Sequence, residues 1–396
     1  MKWSIKKLSN IAEINPRRPA IERADDVLTS FVPMEAVNEV FGQVTQRITK
    51  PFIKVKKGYT YFENGDVIFA KITPCMQNGK HAVLSDLIDS FGFGSTEFHV
   101  IRAGEEIIPE WIHYFLRREE TLDAAMRTFT GAVGQQRVPT IFLENLELPI
   151  PSIEKQRQIA ARLKAQLAEV GKARQAADSQ LRGVEHLSNR IFKEIWAELD
   201  SVLKKTLGDY AETTSGSTPA RGNKQYWQPA EVAWVKTAEV VFAPITATEE
   251  AISQTALAEC SLTLLPPKTV LIAMYGQGKT RGQSAILEIP ATTNQACFAI
   301  LPNETWEPDF LFHWLKSSYQ NLRSLSEGRG GNQANLNGGL LKTLKIPAPD
   351  KPTQKEIVNR IKNASTEIEI MKAASKTALN GITLLPRKIL AQAFEI

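Results

Sequence analysis

Apolar residues recur at helical spacing in two long stretches of the chain. In the first they fall at Ile159, Leu163, Leu167, Val170, Ala177, Leu181, Val184, Ile191 and Ile195, the three-and-four alternation that gives a helix one apolar stripe. The second repeats the stripe with Ile357, Ile361, Ile368, Ile382, Leu385 and Ile389, while Lys, Arg, Gln and Glu fill the other faces. A Pro-x-Pro precedes each stretch, stopping the preceding element and letting a helix begin. A helix of about 45 residues is roughly 65 to 70 Å long, more than one small domain can cover. The simplest burial pairs the two as an antiparallel coiled coil; two independent helical caps are the plainer alternative. Pro386 stands where the first stretch has Ser188, so a kink or break is expected there.

Elsewhere the pattern is mixed. Strands are predicted at Asp66 to Lys71, Phe98 to Arg102, Val232 to Lys236, Thr269 to Met274 and Cys297 to Leu301. Short helices follow Pro109 (Glu110 to Arg118) and Pro308 (Asp309 to Tyr319), each with an aromatic-rich face.

The chain is a repeat of itself. Leu148 to Trp196 aligns without a gap on Ile346 to Phe394 at an offset of 198 residues, placing Pro149 and Pro151 on Pro347 and Pro349, Gln156 on Gln354, Arg162 on Arg360 and Gly183 on Gly381. Asp66-Val67-Ile68-Phe69-Ala70 parallels Thr269-Val270-Leu271-Ile272-Ala273, and Thr96-Glu97-Phe98 parallels Gln295-Ala296-Cys297. Between such landmarks the halves diverge, as expected of a shared frame carrying two different inserts. The fold expectation is therefore α+β, with two mixed α/β domains (1–148 and 200–345) in pseudo-twofold repeat, joined by two long helices (149–199 and 346–396) forming an antiparallel coiled coil.

Composition narrows the class without naming a chemistry. With 396 residues, 43% hydrophobic and 23% charged, the chain has globular averages, which excludes collagen-like, disulfide-scaffold and largely disordered proteins. A net charge of +5 permits an anionic partner without requiring one. Cys75, Cys260 and Cys297 are far apart and lack any C-x-x-C, so a reducing cytoplasm is expected rather than a disulfide or zinc framework. No stretch approaches the roughly 18 to 20 apolar residues of a membrane span.

Enzymatic motifs fail in turn. Tyr275-Gly276-Gln277-Gly278-Lys279-Thr280 imitates a phosphate loop, but Ala273 occupies the position of its first glycine. Phe91-Gly92-Phe93-Gly94 is one residue away from a methyltransferase cofactor loop, and the only Pro-Pro, Pro266-Pro267, is not in a catalytic tetrapeptide. No Asp/Glu-x-Lys exists for a metal-dependent nuclease, and His81, His99, His113, His186 and His313 lack metal-binding spacing. What remains is a set of Gly-rich polar loops at matching places in the two inserts. Their Arg, Lys, Gln and Asn side chains suit guanine, adenine and phosphate edges; solvated turns are the bland reading. The candidate DNA-binding residues are Lys71, Thr73, Lys80, Gln135, Gln136 and Arg137 in the first insert. In the second they are Arg221, Lys224, Tyr275, Lys279, Arg281, Arg329, Asn332 and Gln333.

The order of these features resembles the specificity subunit of Type I restriction-modification enzymes. The likeness rests on the Trp3-Ser4-Ile5-Lys6-Lys7-Leu8 opening, the two inserts, and the Pro-x-Pro that leads to Gln156-Arg157 and to Gln354-Lys355. It extends to the Phe69 to Pro74 and Met274 to Gly282 stretches. Members of the family often carry Glu before the glutamine, where this chain has Lys155 and Thr353. The resemblance implies a non-catalytic subunit without cofactors of its own, reading a bipartite, asymmetric site on double-stranded DNA. It also implies two modification subunits, which use S-adenosylmethionine, and restriction subunits, which use ATP and Mg. Phe192 and Trp196 are then either partner contacts or the join to the second insert. A solitary duplicated DNA-binding or anti-restriction protein is the alternative, and a nucleotide-dependent remodeller built on Lys279-Thr280 a more distant one.

Overall fold

A computed structural model describes residues 3–39, 41–132, 134–276, 278–325 and 335–395. The chain divides into two compact units, residues 1–181 with 374–396 and residues 182–373. The divisions fall inside the long helices. Each unit thus holds one insert, one half of its own long helix and one half of the other.

The first unit is built on a four-stranded antiparallel sheet in the order Ala12–Ile14, Phe98–Ala103, Val67–Ala70, His81–Val83. The two central strands are the predicted ones, and their side chains are buried almost throughout because both faces are covered. A second four-stranded sheet orders Ile48–Pro51, Leu28–Val32, Phe91–Gly94 and Thr60–Glu63, so the Phe-Gly alternation that imitated a cofactor loop is a strand. Gly92 and Gly94 make room for Phe62: a Cβ on either would meet that ring or neighbouring backbone at 2.9 Å or less. Ser4–Lys7 pairs with Glu147–Ile150 to close the insert.

The second unit repeats the plan. Its main sheet orders Thr213–Ser215, Cys297–Ile300, Val270–Ala273, Ser284–Leu287 and Pro244–Ile245, and Lys204–Thr206 closes on Lys345–Pro347. The predicted strand at Val232–Val235 belongs to a separate three-stranded sheet. The two aromatic helices run Pro109–Leu116 and Pro308–Ser317, each with Pro in its first turn.

The long helices span Ile153–Ala197 and Lys351–Phe394. In the first unit Ile159, Ala160 and Leu163 from the start of one helix share a core with Leu390, Ala393 and Phe394 from the end of the other. In the second unit Ile195 from the end of the first helix shares a core with Ile357, Val358 and Ile361 from the start of the second. Start meets end in both units, as antiparallel pairing requires. Of the kink or break expected at Pro386, the break does not occur: the helix runs through it. An interior proline costs about 3 kcal/mol, whereas burying Leu390 and Phe394 beyond it contributes about 1.5 to 3 kcal/mol for each side chain. Continuing the helix therefore wins.

Each helix is locked to its insert by a fully buried glutamine. The Ile108 amide donates to Gln156 Oε1 at 3.0 Å, and Gln156 Nε2 donates to the carbonyls of Glu106 (2.9 Å) and Pro151 (3.0 Å). Gln354 does the same with the Glu307 amide and the carbonyls of Thr305 and Pro349, each at 2.8 Å. A buried amide with every partner in place fixes one geometry. An indole completes each lock: Trp111 Nε1 donates to the Pro149 carbonyl and Trp306 Nε1 to the Pro347 carbonyl, both at 2.9 Å. The far ends are seated likewise, Phe394 against Trp111 with ring centroids at 4.5 Å and Trp196 against Phe310 at 5.7 Å. Trp196 and Phe192 are half-buried and pack against the second unit's core, as a join to the second insert requires.

Replacing Gln156 or Gln354 by Leu leaves one amide and two carbonyls without partners, at about 1 to 3 kcal/mol for each buried group. Native-state hydrogen exchange should show the Ile108 amide losing protection in Gln156→Leu and the Glu307 amide in Gln354→Leu. Unchanged protection would remove the glutamines from the lock.

Candidate nucleic-acid interface

The candidate loops leave the main sheet of each unit at the same place. In the first unit the chain emerges from Val67–Ala70 at Lys71, whose amide donates to the Glu97 carbonyl at 2.9 Å while its own carbonyl accepts from the Val138 amide at 2.9 Å. In the second it emerges from Val270–Ala273 at Met274, whose amide donates to the Ala296 carbonyl at 2.8 Å while its carbonyl accepts from the Leu336 amide at 3.1 Å. The backbone platform is thus one, and the side chains on it are two different sets.

On the first platform Lys71, Thr73, Gln135, Gln136 and Arg137 converge. The Thr73 amide donates to the Gln136 carbonyl at 2.9 Å, and Thr130 and Arg137 exchange two backbone bonds at 3.0 and 2.9 Å. Arg137 forks onto Glu97, with Nε to Oε2 and Nη2 to Oε1 both at 2.8 Å, and Nη1 donates to the Gln135 carbonyl at 3.1 Å. That guanidinium holds the Glu97 carboxyl below the usual carboxylate range. Gln135 is exposed. The Thr73 hydroxyl is buried and has no hydrogen-bond partner among the described residues. Lys80 stands apart: its ammonium donates to the carbonyls of Val37 (2.9 Å) and Met34 (3.3 Å) and ties an insert hairpin down. The exposed Asn78, in the same loop, presents an amide that the candidate residues omit.

The second platform carries the loop of Tyr275, Lys279 and Arg281. Gly276 has φ +130°, and a Cβ there would lie 2.7 Å from Thr280 Cβ, so the turn requires glycine. Tyr275 and Lys279 are exposed, whereas Arg281 is buried. Tyr319 donates its hydroxyl to the Lys279 carbonyl at 2.6 Å and Arg323 donates to the Arg281 carbonyl at 3.1 Å, a brace from the helix Tyr319–Ser324. Arg329, Asn332 and Gln333 lie outside the described residues.

Arg221 and Lys224 belong to a separate part of the same unit. The Arg221 guanidinium lies 4.0 Å from the Trp227 ring centroid and 5.1 Å from that of Trp234, and it pairs with Glu250, which also receives Lys236 at 3.2 Å. Arg221 first and Lys236 second hold the Glu250 carboxyl below its usual range. Lys224 is exposed. Glu97 and Glu250, which sequence reasoning missed, are the groups that hold Arg137 and Arg221.

Three of the five histidines are buried, His313 is half-buried and His186 is exposed. His81, His99 and His113 are buried; His99 Nε2 donates to the Val138 carbonyl at 2.9 Å, behind the first platform. Burial, with Arg117 adding to it, pushes the His113 pKa down to about 3, and burial pushes that of His313 down to about 4. Among the described residues no group of three or more His, Cys, Asp or Glu is placed to hold a metal ion, and no helix is long and apolar enough to cross a membrane.

These features define a duplicated α+β protein with two loop platforms on a frame of paired helices. Comparison with known proteins agrees. Residues 1–176 and 200–380 match the family described as the Type I restriction modification DNA specificity domain, and the chain belongs to that family. Over 161 residues it is 37% identical to the Type I restriction enzyme EcoAI specificity subunit of Escherichia coli, covering 40% of this chain and 27% of that protein. The matched segment thus spans about a quarter of this relative. Among solved structures, one described as the structural basis of complex assembly and conformational transition of the type I R-M system superposes with a TM-score of 0.74, at 19% identity over 100% of this chain and 98% of that one. The HsdS subunit from Thermoanaerobacter tengcongensis superposes with a TM-score of 0.66, at 19% identity over 99% of this chain and 96% of that one. At that identity the two structures speak for the fold alone.

The buried His113 makes the first unit sensitive to acid. Its folded pKa is depressed, so the stability it contributes is present above its unfolded value near 6.5 and is lost as pH falls toward about 3. Thermal melts between pH 7 and pH 5 should show a fall that His113→Phe makes shallower; equal slopes in the two proteins would contradict this.

Proposed function

We propose that this chain is the DNA-reading, non-catalytic subunit of a Type I restriction-modification complex. One observation carries the reading: in a chain that matches the DNA specificity family in both halves, the same backbone platform appears twice with different side chains on it. Each unit then reads one half of a bipartite, asymmetric site on double-stranded DNA. The first uses Lys71, Thr73, Gln135, Gln136 and Arg137. The second uses Arg221, Lys224, Tyr275, Lys279, Arg281, Arg329, Asn332 and Gln333, with the buried Arg281 acting through the shape of its loop. Lys80 serves this reading by holding the first insert's hairpin.

Bases are distinguished by forked or amide side chains in the grooves, and phosphates by lysines and backbone amides. The long helices act as a spacer that sets the gap between the half-sites, in the way that dimer geometry sets half-site spacing elsewhere. They also form the frame on which two S-adenosylmethionine-using modification subunits dock, with ATP- and Mg-dependent restriction subunits joining them. The complex works in the cytoplasm, where the DNA is. Methyl transfer and cleavage belong to those partners; this chain binds and orients the duplex.

The test is to co-express the chain with its genomic neighbours and to sequence the host DNA for N6-methyladenine. A gapped, asymmetric methylated motif should appear, vanish when the chain is deleted, and change its gap when one helical turn is inserted after Ala173. Methylation unaffected by the deletion would overturn the assignment, and an unchanged gap would overturn the spacer.

A further inference from the structure

Two arginines in the candidate loops, one in each unit, are held by a carboxylate on the same insert. Arg137 forks onto Glu97 through two bonds of 2.8 Å, and Arg221 binds both oxygens of Glu250. Each carboxylate also faces a lysine: Lys71 acts on Glu97, and Lys236 lies 3.2 Å from Glu250. The two sites occupy non-equivalent positions of the repeat. Glu97 sits at the outlet of the main sheet, where the second unit has Ala296, whereas Glu250 lies on the edge strand of the three-stranded sheet.

A carboxylate offers a guanidinium two oxygens in one plane, the geometry that a backbone phosphate also offers. A Glu in that position competes with DNA for the arginine. Neither pair is sealed from solvent: the side chains of Arg137 and Glu97 are 42% and 25% exposed, and those of Arg221 and Glu250 54% and 29%. A partner arriving from outside can therefore exchange with the glutamate. Any duplex presents phosphates, so an uncommitted arginine on a reading surface strengthens binding to all sequences alike and erodes discrimination. An arginine that must first be taken from its glutamate is surrendered when further, sequence-dependent contacts offset the exchange.

We propose that Glu97 and Glu250 are specificity-determining positioning residues, internal counter-ions that withhold Arg137 and Arg221 from the phosphates of non-target DNA. The proposal rests on the DNA-reading function above and deepens it. It predicts a gain of function for charge removal, the opposite of what a merely structural role predicts.

The experiment measures binding of the full chain to a random-sequence duplex across a salt series, for wild type, Glu97→Gln, Glu97→Asp, Glu250→Gln and Glu250→Asp. Each Gln variant keeps the shape and loses the charge. One additional phosphate contact should steepen the salt slope by about 0.9, corresponding to about a threefold tighter affinity for a fourfold reduction in salt. The Asp variants, which keep the charge, should stay near wild type. Equal or weaker binding by both Gln variants, with the slope unchanged, overturns the proposal. A fold lost in one unit leaves the other pair to decide, because the two pairs lie in separate units. Wild type that binds no duplex at any salt overturns the DNA-reading function itself, a result distinct from failure of the counter-ion role.

Discussion

The rest of the structure depends on burying two helical stripes that are longer than either insert. A helix of 45 residues with apolar positions along its whole length cannot be covered by the insert that precedes it. The chain meets this constraint by giving each unit the start of one helix and the end of the other. The helix ends are consequently held by specific contacts. At each start stand a fully bonded buried glutamine and an indole bound to a Pro-x-Pro carbonyl; at each end an aromatic ring seats against the short aromatic helix. Hydrophobic burial supplies most of the stabilisation. The glutamines add direction, because an amide with three partners tolerates one arrangement only.

That rigidity serves the loops. Lys71 and Met274 leave their sheets with their peptide groups bonded on both sides, so the platform is held by backbone and is indifferent to side chain. Side chains on it are free to differ, and they do: Lys71, Glu97 and Val138 in one unit occupy the places of Met274, Ala296 and Leu336 in the other. Duplication with divergence on a fixed scaffold is what reading two unlike half-sites demands. Charge is arranged with similar economy, since Arg137 and Arg221, either of which could bind a phosphate, are partnered by Glu97 and Glu250.

Much of this was legible in the sequence, and the failures have a common cause. The helical stripes, the strand pairs around Phe69 and Leu271, and the equivalence of Gln156 with Gln354 all follow from local period or from the 198-residue repeat, and the structure has each of them. Aligning the two short helices on Pro109 and Pro308 sets Trp111 beside Phe310. Only folding shows that Trp306, four residues earlier than Phe310, supplies the indole bond. Glu97 and Glu250 escaped notice because they lie 40 and 29 residues from their arginines. The carbonyls that Lys80 satisfies were equally out of sight, 43 and 46 residues away. Of the kink or break expected at Pro386, the break is overruled by the packing of Leu390 and Phe394 beyond it. Patterns of short range were readable, whereas partners brought together by tertiary structure were not.

The central claim is that each platform reads its own half of one DNA site. Its most direct measurement is hydroxyl-radical footprinting of the assembled complex on its methylated motif and on single-base variants of both halves, comparing wild type with a Lys71→Ala, Gln136→Ala double substitution. The account predicts that base preference relaxes in one half while the other half keeps its footprint and its preference. Relaxation in both halves together, or in neither, would contradict it.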